Sequence, residues 1–341
     1  MKKIRHRLAA VALAAFVAVC SSGCQVGDET LTISREMEEH ELFQIAGITC
    51  DVPVIKLLLM TNMNLHGESY GITLLHNEDL KVQKKFEQYV KQITMDEICN
   101  IYCMVALANE KQITLTEEQS ELAQWAGEDC FKSLSESEVA VLGITQEQVQ
   151  ELYTNYALAE KVYRTLVKDI NEEVSDNEAR IMKIRQIYTA NKEQAQQALA
   201  ELEEGVEFSS VAANYNEADE ISVTLQRGML PEAAETVVFS MEDGETSQLI
   251  ETTQGYYIFY CDNKFDEAQT QLHKQDIVEQ RKQEAYHAVY DPFLETVHSR
   301  LNESVWNEIS VREMEQYAYA DFYNIYEKYF GKEELAVQEN G

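Results

Sequence analysis

Cysteine and histidine offer the most as nucleophiles, bases and metal ligands, and in this sequence neither marks out a site. Cys50, Cys99, Cys103, Cys130 and Cys261 form an odd-numbered set without framework spacing. Cys99 and Cys103 lie four apart on a helical pattern and could share a face as metal ligands. No histidine or acid cluster completes such a site, so all five read as buried structural thiols. The seven histidines, at 6, 40, 66, 76, 273, 287 and 298, are scattered, and His66 with His76 would make a pair but not a site. There is no phosphate loop, no Gly-Xaa-Ser-Xaa-Gly elbow and no His-Glu-Xaa-Xaa-His helix. No cofactor and no metal are expected. Acidic clusters such as Glu201, Glu203 and Glu204, or Glu36, Glu38 and Glu39, read as solvated faces.

The charge narrows the partners. The 341 residues carry 28 Lys and Arg against 60 Asp and Glu, a net charge of −32. A phosphate backbone wants cations, so nucleic acid is excluded as a partner, and anionic headgroups would repel the chain. An apolar share of 45% is enough for real cores. No run reaches 18 apolar residues, which excludes a multi-span membrane protein. The N-terminus is different. Lys2, Lys3, Arg5 and Arg7 precede the apolar run Leu8–Cys20, which is too short to cross a bilayer but suits a signal peptide. Ser21-Ser22-Gly23-Cys24 follows and resembles a bacterial lipobox, with Ser21 where leucine is usual. The resemblance implies cleavage after Gly23 and lipidation of Cys24. Residues 1–23 are then a signal peptide and 24–40 a lipidated polar tether. Two acyl chains would hold the protein on a lipid bilayer, at the extracytoplasmic face of the cell membrane.

Helical spacing dominates residues 41–178. A short strand is expected over 41–47 and a dense apolar helix over 52–65. A long helix follows from Leu80 to Lys111, with Phe86, Val90, Ile98, Ile101, Tyr102 and Val105 on its pattern. Thr116 with Gln119, and Thr145 with Gln148, have capping-box spacing and open two more helices. Ser175 with Glu178 repeats the start signal. Residues 179–265 change character to an order of β-α-α-α-β-β, a small α+β domain. From 266 to 341 the chain is helical again, and Pro292 is expected to kink it. Val305 to Val311 alternates like a strand. The tail is rich in aromatics: Tyr317, Tyr319, Phe322, Tyr323, Tyr326, Tyr329 and Phe330 either pack on the helical module or offer a sticky surface.

Framework residues of the middle segment then fall into a known order. Ala198-Leu199, Leu202, Gly205, Phe208 and Val211-Ala212 are followed by Phe239, Gly244-Glu245-Xaa-Ser247, Ile250, Thr252 and Gly255-Tyr-Tyr-Ile258. Over residues 180–264 this resembles a parvulin-type peptidyl-prolyl isomerase domain. The whole order of signal, lipobox, helical domain, inserted parvulin domain and returning helix resembles the foldase lipoproteins of Gram-positive bacteria and related periplasmic chaperones. The fold class implied is α+β, a helical chaperone module made of both ends of the chain with a parvulin-like insert. By that resemblance the 41–47 strand pairs with 305–311.

Prolyl isomerisation breaks no covalent bond. Its barrier of about 20 kcal/mol comes from amide resonance, so a catalyst must bind the twisted amide best. Active parvulins present a histidine pair, a Cys or Asp between them, and an apolar proline pocket. Here the histidine positions fall on Gln186 and Tyr257, the candidate catalytic residues, and the Cys/Asp position on Ala218 or Asp219. Leu230, Ala234 and Phe239 match the substrate pocket, with Ala234 in place of its aromatic ring. The resemblance implies a membrane-anchored folding factor whose partners are unfolded or partly folded exported proteins, with a homodimer as one form of assembly. Its activity would be prolyl isomerisation, or client binding alone by a chaperone that has lost the reaction. A surface interaction lipoprotein is the remaining reading.

Overall fold

The computed structural model describes residues 37–70, 80–317, 319 and 321–339. The signal segment, Cys24 and most of the tether lie outside them. Among the described residues no helix is long and apolar enough to cross a membrane. The chain divides into two compact units. One joins the N-terminal part up to Lys168 to the segment from Tyr286 onward, and the other is Asp169–Ala285.

The first unit is built on helices. Strands β1 (Glu41–Ile45) and β2 (Ile48–Asp51) form a hairpin. Its tight turn places Ala46 and Gly47 at positive φ. Helix α1 (Val52–Tyr70) follows, then α2 (Leu80–Lys111), α3 (Glu117–Ser133), α4 (Glu136–Leu142) and α5 (Gln146–Val167). Thr116 and Thr145 form complete capping boxes, and so does Ser135 at the start of α4. Each box satisfies N–H groups that the first helical turn leaves without partners. α3 and α5 pack so closely that a Cβ on Gly127 would lie 2.5 Å from Gln150 Cα.

The returning segment corrects one expectation. Residues 305–311 are not the strand that meets β1. That place belongs to β7 (Ser299–Leu301), with Phe43 opposite Leu301. Just beyond it, the Asn302 side chain accepts from Val305 N–H and starts the helix α10 (Glu303–Glu308), which overrides the alternating pattern. Lys91 on α2 secures this stretch. Its ammonium donates to the carbonyls of Trp306 and Ile309, each at 2.8 Å, and sits 4.3 Å from the Trp306 ring centroid. In the last helix, α11 (Phe322–Glu339), the tail aromatics pack rather than stand exposed. Phe322 is fully buried against Tyr153 and Tyr156, and Phe330 lies in a small core with Ala123 and Ala157.

The second unit carries the sheet β4-β3-β6-β5, antiparallel throughout. Its elements run β3 (Met182–Thr189), α6 (Lys192–Glu203), α7 (Phe208–Tyr215), β4 (Ser222–Leu225), α8 (Glu232–Val238), β5 (Ile250–Glu251) and β6 (Tyr256–Asn263). Two expectations change here. β4 adds an edge strand to the expected order, and Ser175 caps a turn rather than a helix, accepting from Glu178 N–H. α9 (Glu267–Leu294) contains Pro292 near its end. Its early turns belong to this unit: Thr270 Oγ1 accepts from Ile181 N–H, and Arg281 donates to the carbonyls of Asn171 and Glu173. The period-two alternation of the strands gives the sheet two faces, each with its own core. One holds Met182, Ile184, Tyr257, Phe259 and α8. The other holds Ile187, Ile258 and the helices α6 and α7.

Candidate functional site

The candidate residues gather on the α8 face of the sheet. Gln186 and Tyr188 share that face of β3, two residues apart, and Tyr257 and Phe259 share it on β6. The register sets Gln186 opposite Phe259 and Tyr188 opposite Tyr257. Gln186 and Tyr257 are therefore diagonal neighbours, and each has another partner. The Gln186 amide donates to Glu220 O at 2.9 Å. Tyr257 is 8% exposed, its ring 4.9 Å from that of Tyr188 and 5.6 Å from that of Phe259. Burial, then the neighbouring Tyr188, raises its phenol above the ordinary value. Neither group is a proton donor or acceptor that titrates near neutrality.

Tyr188 was not singled out by the sequence. Its hydroxyl donates to Gln254 O at 2.7 Å, tying β3 to the turn before β6. That turn needs Gly255: φ is +148°, and a Cβ there would lie 2.8 Å from the Tyr188 ring and 2.9 Å from Thr189 O. The Gly244-Glu-Thr-Ser247 motif also has a local reason. Gly244 adopts φ +80°, and the Ser247 hydroxyl accepts from Phe259 N–H at 2.8 Å. The loop carrying Ala218 and Asp219 is stitched to β3 by Asn216, whose Oδ1 accepts from the N–H groups of Tyr188 and Ala218. At the pocket positions, Ala234 is fully buried, Phe239 is 7% exposed and Leu230 packs partly buried beside them. Arg227 covers the Phe239 ring at 4.3 Å, and Arg180 donates to the Phe239 carbonyl. These residues pack together with α8 on this face of the sheet.

Open space lies on the opposite face. A cavity of about 480 Å³ is lined by Leu199, Leu202, Val206, Phe208 and Tyr260, with Arg185 among them. Arg185 is fully engaged: it pairs with Glu207 at 2.7 Å and Asp262 at 2.9 Å, and lies 4.2 Å from the Tyr260 ring centroid. Glu207 also caps α7. The backbone N–H of Ser209 is the main influence on its carboxyl, with Ser210 and Arg185 adding to it, and holds it down at about 2. A depressed folded value means the cap's contribution is full above the ordinary 4.5 and is lost as pH falls towards 2. The Glu207 carboxyl resonance is therefore expected to titrate near 2, and Glu207→Gln to flatten the acid limb of this unit's unfolding. Titration at 4.5 would mean that the cap does not form in solution.

The cysteines take no part. No disulfide joins the five described ones, all are buried, and burial pushes the Cys130 and Cys261 thiols up to about 11, which keeps them protonated at neutral pH.

Residues 169–273 match the family model of the PPIC-type peptidyl-prolyl isomerase domain. That segment is similar to parvulin-type peptidyl-prolyl isomerase domains. A curated relative, the foldase protein PrsA of Caldanaerobacter subterraneus subsp. tengcongensis, is 26% identical over 193 residues, 51% of this chain and 58% of its own. The match thus spans little more than half of that relative's length. Among solved structures, a peptidylprolyl isomerase (PrsA) from Bacillus cereus is 17% identical, with a TM-score of 0.34 over 72% of this chain and 92% of its own. A SurA-like chaperone structure from Campylobacter jejuni is 9% identical, with a TM-score of 0.26 over 76% of this chain and 98% of its own. The matched segment contains the Gln186 amide and the Tyr257 ring described above.

Proposed function

We propose that the protein is a lipid-anchored, extracytoplasmic folding factor that binds unfolded exported chains through a parvulin-type domain with little or no prolyl isomerase activity. One observation carries the second half of that reading: the Gln186 amide is engaged by Glu220 and Tyr257 is packed between Tyr188 and Phe259. Each side chain is thus held by partners other than its counterpart at the second position. The buried packing of Ala234 and Phe239 agrees with it. Anchoring rests on the lipobox-like Ser21-Ser22-Gly23-Cys24, which would place acylated Cys24 in the bilayer. The domain boundaries read from the sequence stand as part of this reading, and a homodimer remains the assembly that the family resemblance suggests.

The test is prolyl cis/trans exchange in Xaa-Pro peptides with purified residues 25–341 added, beside an aggregation assay with an unfolded client. Uncatalysed exchange takes tens to hundreds of seconds, so weak catalysis would register. The expected result is exchange within twofold of the uncatalysed rate together with suppressed aggregation. Acceleration that disappears in Gln186→Ala or Tyr257→Ala would establish an active isomerase instead. Absence of both effects would point to a surface interaction protein.

A further inference from the structure

A polar cluster in the helical unit stands apart from anything the proposed function uses. Asn62 of α1, Thr94 and Glu97 of α2, and Tyr323 of α11 meet between three helices. Asn62 Nδ2 donates to Thr94 Oγ1 at 3.1 Å and to Glu97 Oε2 at 2.9 Å. Tyr323 Oη lies 3.2 Å from Asn62 Oδ1 and 2.5 Å from Glu97 Oε1. Asn62, Glu97 and Tyr323 thus form a triangle with a hydrogen-bond contact along each edge.

Counting hydrogens decides the state of the triangle. The phenol has one hydrogen and faces two acceptors, Asn62 Oδ1 and Glu97 Oε1. With Glu97 ionised, one edge sets oxygen against oxygen with no proton between. Exchanging the amide oxygen and nitrogen of Asn62 only moves the gap. The amide then donates to the phenol and the phenol to Glu97, but Asn62 Oδ1 faces Glu97 Oε2 bare. Either arrangement is completed by one proton on Glu97. The surroundings favour that proton. Burial dominates over the hydrogen bonds from Tyr323 and Asn62, and holds the Glu97 carboxyl above the usual carboxylate range. Tyr156 of α5 faces Glu97 and the Tyr323 ring, with Glu160 of α5 and Tyr326 of α11 beside it.

We propose that Glu97 is a protonated carboxylic acid that clasps α11 to α1 and α2, making the docking of the C-terminal helix depend on pH. The sign follows from the proton count. The docked state holds a proton that the undocked state gives up, so docking is strongest in acid and weakens as pH rises until Glu97 ionises in place. The inference is independent of the proposed function.

Hydrogen exchange of the α11 amides in residues 25–341 tests it. Above the ordinary Glu value of 4.5, the opening constant is expected to rise with pH by up to tenfold per unit and then level off. Glu97→Gln should abolish that slope, because its amide can donate to Tyr323 and accept from Asn62 at every pH. Identical slopes in the two proteins would overturn the proposal. So would a Glu97 carboxyl carbon resonance in the unmutated protein that titrates at 4.5, a readout that stands even if the variant fails to fold.

Discussion

Phe322→Ala is expected to remove about 3–5 kcal/mol from the stability of the helical unit. The side chain is fully buried, 4.5 Å from the Tyr153 ring and 5.6 Å, edge on, from Tyr156. Truncation leaves a cavity lined by two rings that belong to a long, rigid helix and cannot collapse into it. One contact survives, since the Tyr153 hydroxyl donates to the Phe322 backbone carbonyl. Phe322→Leu keeps most of the volume and should lose much less. The chain has only two tryptophans, Trp125 and Trp306, and both lie in this unit. Tryptophan fluorescence during denaturant unfolding therefore isolates the transition. A loss below about 1 kcal/mol would mean that the start of α11 does not dock in the core as described.

Gly255→Ala should be the most damaging single-atom change in the parvulin-type domain, costing about 2–5 kcal/mol through backbone strain and overpacking together. The new methyl would sit at φ +148° and press on both the Tyr188 ring and Thr189 O. Gly205 supplies the comparison. It has φ +89° with nothing within 4 Å of a Cβ, so alanine there meets only the conformational penalty, about 1–2 kcal/mol. The domain has no tryptophan, so amide exchange in β3 and β6 is the suitable readout. Shortening Tyr188 in the Gly255→Ala background should recover part of the loss. Equal effects at Gly255 and Gly205 would show that the close approach of the turn to Tyr188 is absent.

Features written in local chemistry were legible in the sequence. The capping boxes at Thr116 and Thr145 and the apolar period of α2 each rest on residues within a few positions of one another, and they placed helices closely. β4 was missed although Ile221 to Leu225 alternates apolar and polar, because so short a run becomes a strand only by pairing with β3. The alternation of 305–311 misled for the opposite reason. It is a real pattern, but one side chain, Asn302, diverts it into a helix. At the candidate site, period-two alternation put Gln186 and Tyr188 on one face. That Gln186 faces Phe259 rather than Tyr257 depends on the register of β3 against β6, a long-range pairing that no residue announces. Ala234 shows a further limit. A small apolar residue suits a pocket wall and a closed core equally well, and only its packing against the sheet tells them apart.

The split construction of the helical unit also orders events in time. The parvulin-type unit is one unbroken stretch, whereas its companion needs both ends of the chain, with Gln44 bonded to Arg300 across 256 positions. As a polypeptide emerges from its N-terminus, the middle can finish folding while the earlier part still waits for β7 and Phe322. Until those arrive, the open edge of β1 and the rings of Tyr153 and Tyr156 have no cover. The usual order of domain completion, first made and first folded, is thus reversed. The entropy of closing so long a loop grows only as the logarithm of its length, and the stretch Asp169–Ala285 within it can already be compact when closure comes. The vulnerable interval for this chain is accordingly the one before β7 and Phe322 arrive, when a partly assembled helical core most resembles the unfolded chains it is proposed to bind.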